Sequence, residues 1–258
     1  MDVRTPNRRR MPDGAAFDDR PANNLLQRMW PEDFALIAVH LEEDERPAGD
    51  LLYNPGDSVE HIYFPCGPSL VSFLVPNEDG RDVETVLIGR EGAAGGIVSA
   101  GRLPAYCKLT VKSPGPFVRL PVPLLQEAKA KSKNVRNLFT RYADCLLAQV
   151  FQSTACNAIH SIQQRAAKWI LAAMDRTGEH KVPLTHDQLA TMLGVGRSYA
   201  SRVLQTLKSE GIVATGRGFL RVQNVDRLTA RACRCNDAVK AHFEIVLKGV
   251  YPSDPTAA

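Results

Sequence analysis

Residues 184–204, Leu-Thr-His-Asp-Gln-Leu-Ala-Thr-Met-Leu-Gly-Val-Gly-Arg-Ser-Tyr-Ala-Ser-Arg-Val-Leu, leave the chain few choices of fold. Thr185 and Gln188 have capping-box spacing, in which each side chain satisfies a backbone N–H of the other. Leu184 and Leu189 stand at the staple positions around that cap. Gly194 falls where a first helix must stop and the chain must turn sharply, a position that favours a residue without Cβ. Beyond it Ala200, Val203, Leu204 and Leu207 repeat at i, i+3, i+4, i+7 and predict one buried stripe on a second helix. Arg197 begins that helix, and Ser198, Ser201, Arg202 and Gln205 occupy another face. The pattern predicts a helix-turn-helix, with hydrogen-bond donors and positive charge presented to a groove of duplex DNA.

The text that follows extends the motif. Residues 211–222 read as two short strands around Gly216-Arg217-Gly218, a wing with Arg217 at its tip. The residues expected at DNA are therefore Thr185, Arg197, Ser198, Tyr199, Ser201, Arg202, Gln205 and Arg217. Charge agrees: from His160 onward there are fourteen Lys and Arg against eight Asp and Glu, whereas before it there are eighteen against twenty. Positive charge collects in the segment that holds the motif.

The front half has a different texture. Strands are predicted at His61–Phe64, Leu70–Val75, Val83–Ile88, Lys108–Val111 and Phe117–Leu120, separated by Gly- and Pro-bearing turns, a pattern of sandwiches and barrels. Asn134 to about Asn157 lacks Pro and Gly and predicts a long helix. Val135, Leu138, Tyr142, Cys145, Gln149, Gln152 and Cys156 form one seam there, and Phe139, Leu146 and Val150 a second. Two seams suit a helix that packs on its own domain with one and on a twin subunit with the other. Ile162, Ala166, Trp169, Ile170 and Ala173 continue as an amphipathic helix that ends before Gly178. Val239, Phe243, Ile245, Val246 and Leu247 predict a further helix against the winged segment or a partner.

These parts, in this order, resemble the Crp/Fnr superfamily of bacterial transcription regulators over about residues 25–235. The resemblance rests on Leu189-Ala190-X-X-Leu193-Gly194, Arg197, Arg202, Leu207-Lys208 and Gly211-Ile212-Val213, and more loosely on Pro55-Gly56-Asp57 with Ile62-Tyr63-Phe64. It implies an α+β protein: an N-terminal jelly-roll β-domain like that of cyclic-nucleotide-binding proteins, a long dimerisation helix and a C-terminal winged helix-turn-helix. The division expected is a flexible tail at 1–24, a sensor roll at 25–133, a dimerisation helix at 134–158, a DNA-binding domain at 159–235 and an extension at 236–258. The partners implied are double-stranded DNA, a second copy of the chain, RNA polymerase and a small-molecule effector of unknown identity.

The family's ligand chemistry does not carry over whole. Members that bind cyclic AMP carry a Phe-Gly-Glu cassette and an Arg-Ser or Arg-Thr pair. Here residues 89–97 place Gly96 where the Glu belongs if Gly95 matches the glycine, and Arg102 is the nearest guanidinium. Cyclic AMP is not the expected effector, and Gly92, Gly95, Gly96 and Arg102 are the candidates for whatever replaces it. The oxygen-sensing branch holds an iron–sulfur cluster on N-terminal cysteines, and this chain has none before Cys66. Family members also carry an Arg-Glu pair opening the recognition helix; here Ser198 replaces the Glu, so a different half-site is expected.

Other classes fare worse. The six cysteines are scattered, and Cys233-X-Cys235 has no further Cys nearby, so no metal is expected. No catalytic Ser/His/Asp or Cys/His order is visible, and no enzyme activity is expected. No apolar run approaches the roughly 18 residues that span a bilayer, nor does an apolar export segment follow Arg8-Arg9-Arg10, so a cytoplasmic protein without membrane contact is expected. Two alternatives stay open: a dimeric DNA-binding regulator without an effector, and a sensor subunit of an enzyme whose winged helix binds protein.

Overall fold

A computed structural model describes residues 20–251, except 79, 81, 100 and 102. Two short helices, α1 (Asn24–Arg28) and α2 (Pro31–Ala38), precede seven strands: β1 (Glu42–Arg46), β2 (Leu51–Tyr53), β3 (His61–Pro65), β4 (Leu70–Pro76), β5 (Asp82–Ile88), β6 (Lys108–Ser113) and β7 (Gly115–Pro121). They form two antiparallel sheets, ordered β1-β7-β3 and β2-β6-β4-β5. Then come α3 (Val122–Lys131), the long α4 (Lys133–Ile159) and α5 (Ile162–Thr177). The winged part adds β8 (Lys181–Val182), α6 (His186–Leu193), α7 (Arg197–Ser209), β9 (Val213–Gly216) and β10 (Phe219–Val222). Helices α8 (Val225–Arg231) and α9 (Cys235–Lys248) close the described chain.

All five expected strands form. β1 was not expected, because Glu-Glu-Asp-Glu-Arg shows no apolar alternation. It pairs with β7 in antiparallel register, where Arg119 donates to Glu42 at 2.6 and 3.0 Å, and within the strand Arg46 donates to the buried Asp44 at 2.9 Å.

The long helix is capped by Ser132, whose hydroxyl accepts from Val135 N–H, and it ends where His160 and Ser161 leave the helical region. Ser161 and Gln164 form a capping box that restarts the chain as α5. The expected second seam of α4 is corrected. Phe139 is fully buried, and Leu146 packs against the roll's cores, because the helix crosses its own roll with a broad face. The large exposed apolar residues of α4 are Leu147, Val150, Phe151 and Ile159, and Phe151 is 64% exposed.

The expected tail is also corrected at its end; residues 1–19 lie outside those described. Asn23 is fully buried. Its Oδ1 caps α1, accepting from Leu25 and Leu26 N–H, while its Nδ2 donates to Pro65 O at 2.9 Å and Gly92 O at 2.8 Å. One short amide thus fixes α1 to the roll. The C-terminal extension packs mainly on α4 and the first helices, not on the winged part. Val239, Phe243, Leu247 and Val250 share a core with Leu25, Phe139 and Tyr142, and Tyr251 meets Trp30 edge to face.

Candidate nucleic-acid interface

The turn of the helix-turn-helix is built locally. Thr185 Oγ1 accepts from Gln188 N–H at 3.1 Å, and Gln188 Oε1 accepts from Thr185 N–H at 2.7 Å. Gly194 closes α6 at φ 67°, a left-handed value, with its N–H turned back to Ala190 and Thr191 carbonyls. Ala200, Val203, Leu204 and Leu207 seal α7 against a core that includes Trp169, Leu189 and Leu220. Burying that stripe compels the opposite side of α7 to face outward.

On that side Arg197, Ser198, Tyr199, Arg202 and Gln205 are exposed. The Arg202 guanidinium lies 5.2 Å from the Tyr199 ring centre, a cation–π contact between two side chains of the outward face. Arg197 reaches Asp187 of α6 at 3.3 Å, with both side chains well exposed. Ser201 shares a 2.9 Å hydrogen bond with His186 Nδ1, and Thr185 is engaged by its cap. The structure thus separates the expected set: Ser201 and Thr185 serve the motif's own geometry, and the others stand at its surface.

Arg217 occupies the wing tip, exposed, in the turn between β9 and β10, where Gly218 has φ 82°. The Phe219 ring lies over Gly216, so close that a β-carbon there would overlap it. Lys181 packs its ammonium 4.5 Å from the centre of the same ring and pairs in register with Arg221. Lys181 and Arg221 therefore join Arg217 as wing cations. Spacing did not single them out, because β8 is only two residues long.

The winged part also leans on the roll. Leu70 and Leu87 of the roll enter its core, and Gln188 Nε2 donates to Lys112 O at 3.4 Å. Arg176 of α5 donates to Glu91 Oε1 at 2.7 Å and to Gln149 Oε1 of α4 at 3.4 Å, while Gln149 Nε2 donates to Leu87 O. This chain of polar contacts joins the turn at 89–92 to all three regions.

The expected effector residues are placed differently. At Gly92 a β-carbon would overlap Tyr142 Oη and come within 2.6 Å of its Cζ; at Gly95 (φ 124°) it would overlap His61 O. Ala93 N–H donates to Tyr142 Oη at 2.9 Å, and Tyr142 donates to Ala93 O at 3.0 Å. The places of side chains at Gly92 and Gly95 are thus taken by protein neighbours, and a β-carbon at Gly96 would stand 3.0 Å from Val122. Arg102 lies outside the described residues. A cleft of about 400 Å³ opens nearby, lined by Arg28, Arg90, Arg176, Lys240, Asp175 and Glu244 among others, and includes none of those three glycines.

In sequence Cys233 and Cys235 have no further cysteine near them. The fold brings Cys156 and His160, at the end of α4, against both. Elsewhere burial pushes thiols up, Cys66 to about 12 and Cys145 to about 11.

Comparison with known proteins places this geometry. Residues 164–231 match the Crp-like helix-turn-helix domain. The fold as a whole is similar to that of FixK2 from Bradyrhizobium japonicum, with 16% identity over 74% of this chain and 96% of that one and a TM-score of 0.62. It is similar also to a transcriptional regulator of the CRP family from Thermus thermophilus, TTHB099, at 17% identity, 73% and 96% coverage and a TM-score of 0.62. The c-di-GMP responsive global regulator CLP of Xanthomonas campestris matches at 16% identity, 74% and 96% coverage and a TM-score of 0.58. No curated protein sequence matches. Residues 164–231 thus form a Crp-like helix-turn-helix domain, and the architecture as a whole is shared with these solved structures. Among the described residues, no helix is long and apolar enough to cross a membrane.

Proposed function

We propose that the chain regulates transcription as a homodimer that binds a pseudo-palindromic DNA site and answers to an effector other than cyclic AMP. The observation that carries the reading is α7: its apolar stripe is consumed by its own core, and Arg202, Arg197 and Gln205 are left facing outward. Arg197 and Arg202 contact guanine edges or phosphates, and Arg217, Lys181 and Arg221 contact the flanking backbone. Leu147, Val150, Phe151 and Ile159 supply the dimer seam, since they lie along α4 and are exposed in the single chain. Against cyclic AMP stands the turn at 89–96, whose Ala93 amide is already satisfied by Tyr142 and whose glycines are filled by neighbours.

Selection of binding sites from a random duplex library tests the reading. Enriched sequences are expected to contain two related half-sites with centres roughly 34 Å apart, one helical turn. Arg202→Ala is expected to weaken binding to the selected duplex by about 1–3 kcal/mol and to relax preference at one base position. Unsymmetrical selected sequences, or an Arg202→Ala protein with unchanged affinity and preference, would refute it.

A further inference from the structure

We propose that Cys156, His160, Cys233 and Cys235 bind a single zinc ion that clasps the two ends of the winged domain. The ligand atoms of these four residues all lie within 4.8 Å of one another, and the three cysteines are buried. Zinc has bonds of about 2.3 Å to sulfur and 2.0 Å to nitrogen, so a tetrahedral site sets two thiolates about 3.8 Å apart and a thiolate about 3.5 Å from an imidazole nitrogen. Cys156 Sγ is 3.6 Å from Cys233 Sγ, and Cys235 Sγ is 3.6 Å from His160 Nδ1. Those match two of the six edges of such a tetrahedron, and the other pairs lie within 4.8 Å. A cluster of several irons needs its ligands farther apart than one ion does.

The surroundings suit a metal better than four idle side chains. The three cysteines form a small buried group of their own, separate from the larger apolar cores. Gln152 Nε2 donates to Cys235 Sγ at 3.2 Å, the kind of outer hydrogen bond that orients and stabilises a thiolate ligand. Three thiolates and one zinc leave a charge of −1. Lys168, buried at 5% exposure and lying over the Trp169 ring on the helix that follows His160, is a cation available to offset that charge.

The topology gives the site its role. Cys156 and Cys233 are 77 positions apart, and between His160 and Cys233 runs the whole of α5, α6, α7, the wing and α8. One ion therefore ties the entry of the winged domain, at the end of α4, to its exit, at the start of α9. The inference does not depend on DNA binding.

The test uses the full chain, purified under reducing conditions and reconstituted with zinc or cobalt(II). The expected result is one metal per chain and, with cobalt, the intense visible and near-ultraviolet bands of a tetrahedral thiolate site. Cys156→Ser and Cys233→Ser are expected to lose stoichiometric metal, while Cys107→Ser keeps it. Gln152→Ala, which leaves all four ligands and so guards against a folding failure, is expected to bind zinc about 10–100-fold more weakly. An octahedral or absent cobalt spectrum in the wild-type chain, or full metal retention in Cys233→Ser, would overturn the proposal. So would a Cys156–Cys233 disulfide that persists in place of metal under these reducing conditions, because the pair would then be a redox couple.

Discussion

Gly194 and Gly92 both sit in turns that shape the protein, yet a β-carbon is excluded from them for opposite reasons. At Gly194 there is open space, with nothing within 4 Å of where a β-carbon would stand, and only the left-handed φ of 67° resists substitution. At Gly92 the difficulty is a neighbour: Tyr142, distant in sequence, fills the place a side chain would take. The first is a demand of the local backbone, and the second is a demand of the assembled fold. The difference separates the two halves of the molecule. The winged domain is written in short-range signals, whereas the roll and its junctions are made by distant residues meeting.

The comparison breaks first, if it breaks, at Gly92. Gly92→Ala places a methyl group into Tyr142, whose ring is locked by Phe243 on one side and by two hydrogen bonds to Ala93 at its tip. Overpacking of that kind costs about 3 kcal/mol, read as a shift in the denaturant midpoint. Tyr142→Phe alone leaves Ala93 N–H and C=O without their partner and is also destabilising. The double variant is expected to lose less than the sum, since the two changes act on one contact. Full additivity would show that Gly92 is not governed by Tyr142.

Gly194→Ala is expected to cost less, about 1–2 kcal/mol, because only the left-handed backbone is penalised. Gly194→Asn should cost less again, since asparagine tolerates that region better than alanine. If Gly194→Ala matched Gly92→Ala, or if Asn were no better than Ala, the distinction between backbone and neighbour would fail at this turn.

The same distinction explains what was legible in the sequence. The capping box at Thr185 and Gln188, the stop at Gly194, the stripe from Ala200 to Leu207 and the two-residue wing turn each lie within a few positions, and each reads from spacing alone. The helix-turn-helix face followed directly, because burying one stripe of α7 determines what the other shows. Strand β1 was invisible, since its pairing with β7 brings Arg119 to Glu42 across 77 positions. Asn23 looked like part of a tail until its amide met Pro65 and Gly92. Glycines at 92, 95 and 96 gave no sign of their neighbours, because sequence records that a side chain is missing, not what occupies its place. Cys233-X-Cys235 likewise showed half of a ligand set, and the other half lay at the far end of α4. Only a motif whose partners are close in sequence announces its own purpose.

The smallest expected effect sharpens the comparison on the winged side. Arg197 and Asp187 approach to 3.3 Å, but their side chains are 70% and 63% exposed, so water and salt screen the pair. Asp187→Asn should therefore change unfolding free energy by no more than about 0.5 kcal/mol. Its effect belongs to binding instead. Removing a carboxylate beside Arg197 frees the guanidinium and takes a negative charge away from approaching phosphates. Duplex affinity is expected to rise a few-fold at low salt, and the gain should fade as ionic strength increases. A clear loss of stability with no gain in affinity would mean that the pair holds α6 and α7 together, and that this turn, too, depends on a tertiary contact.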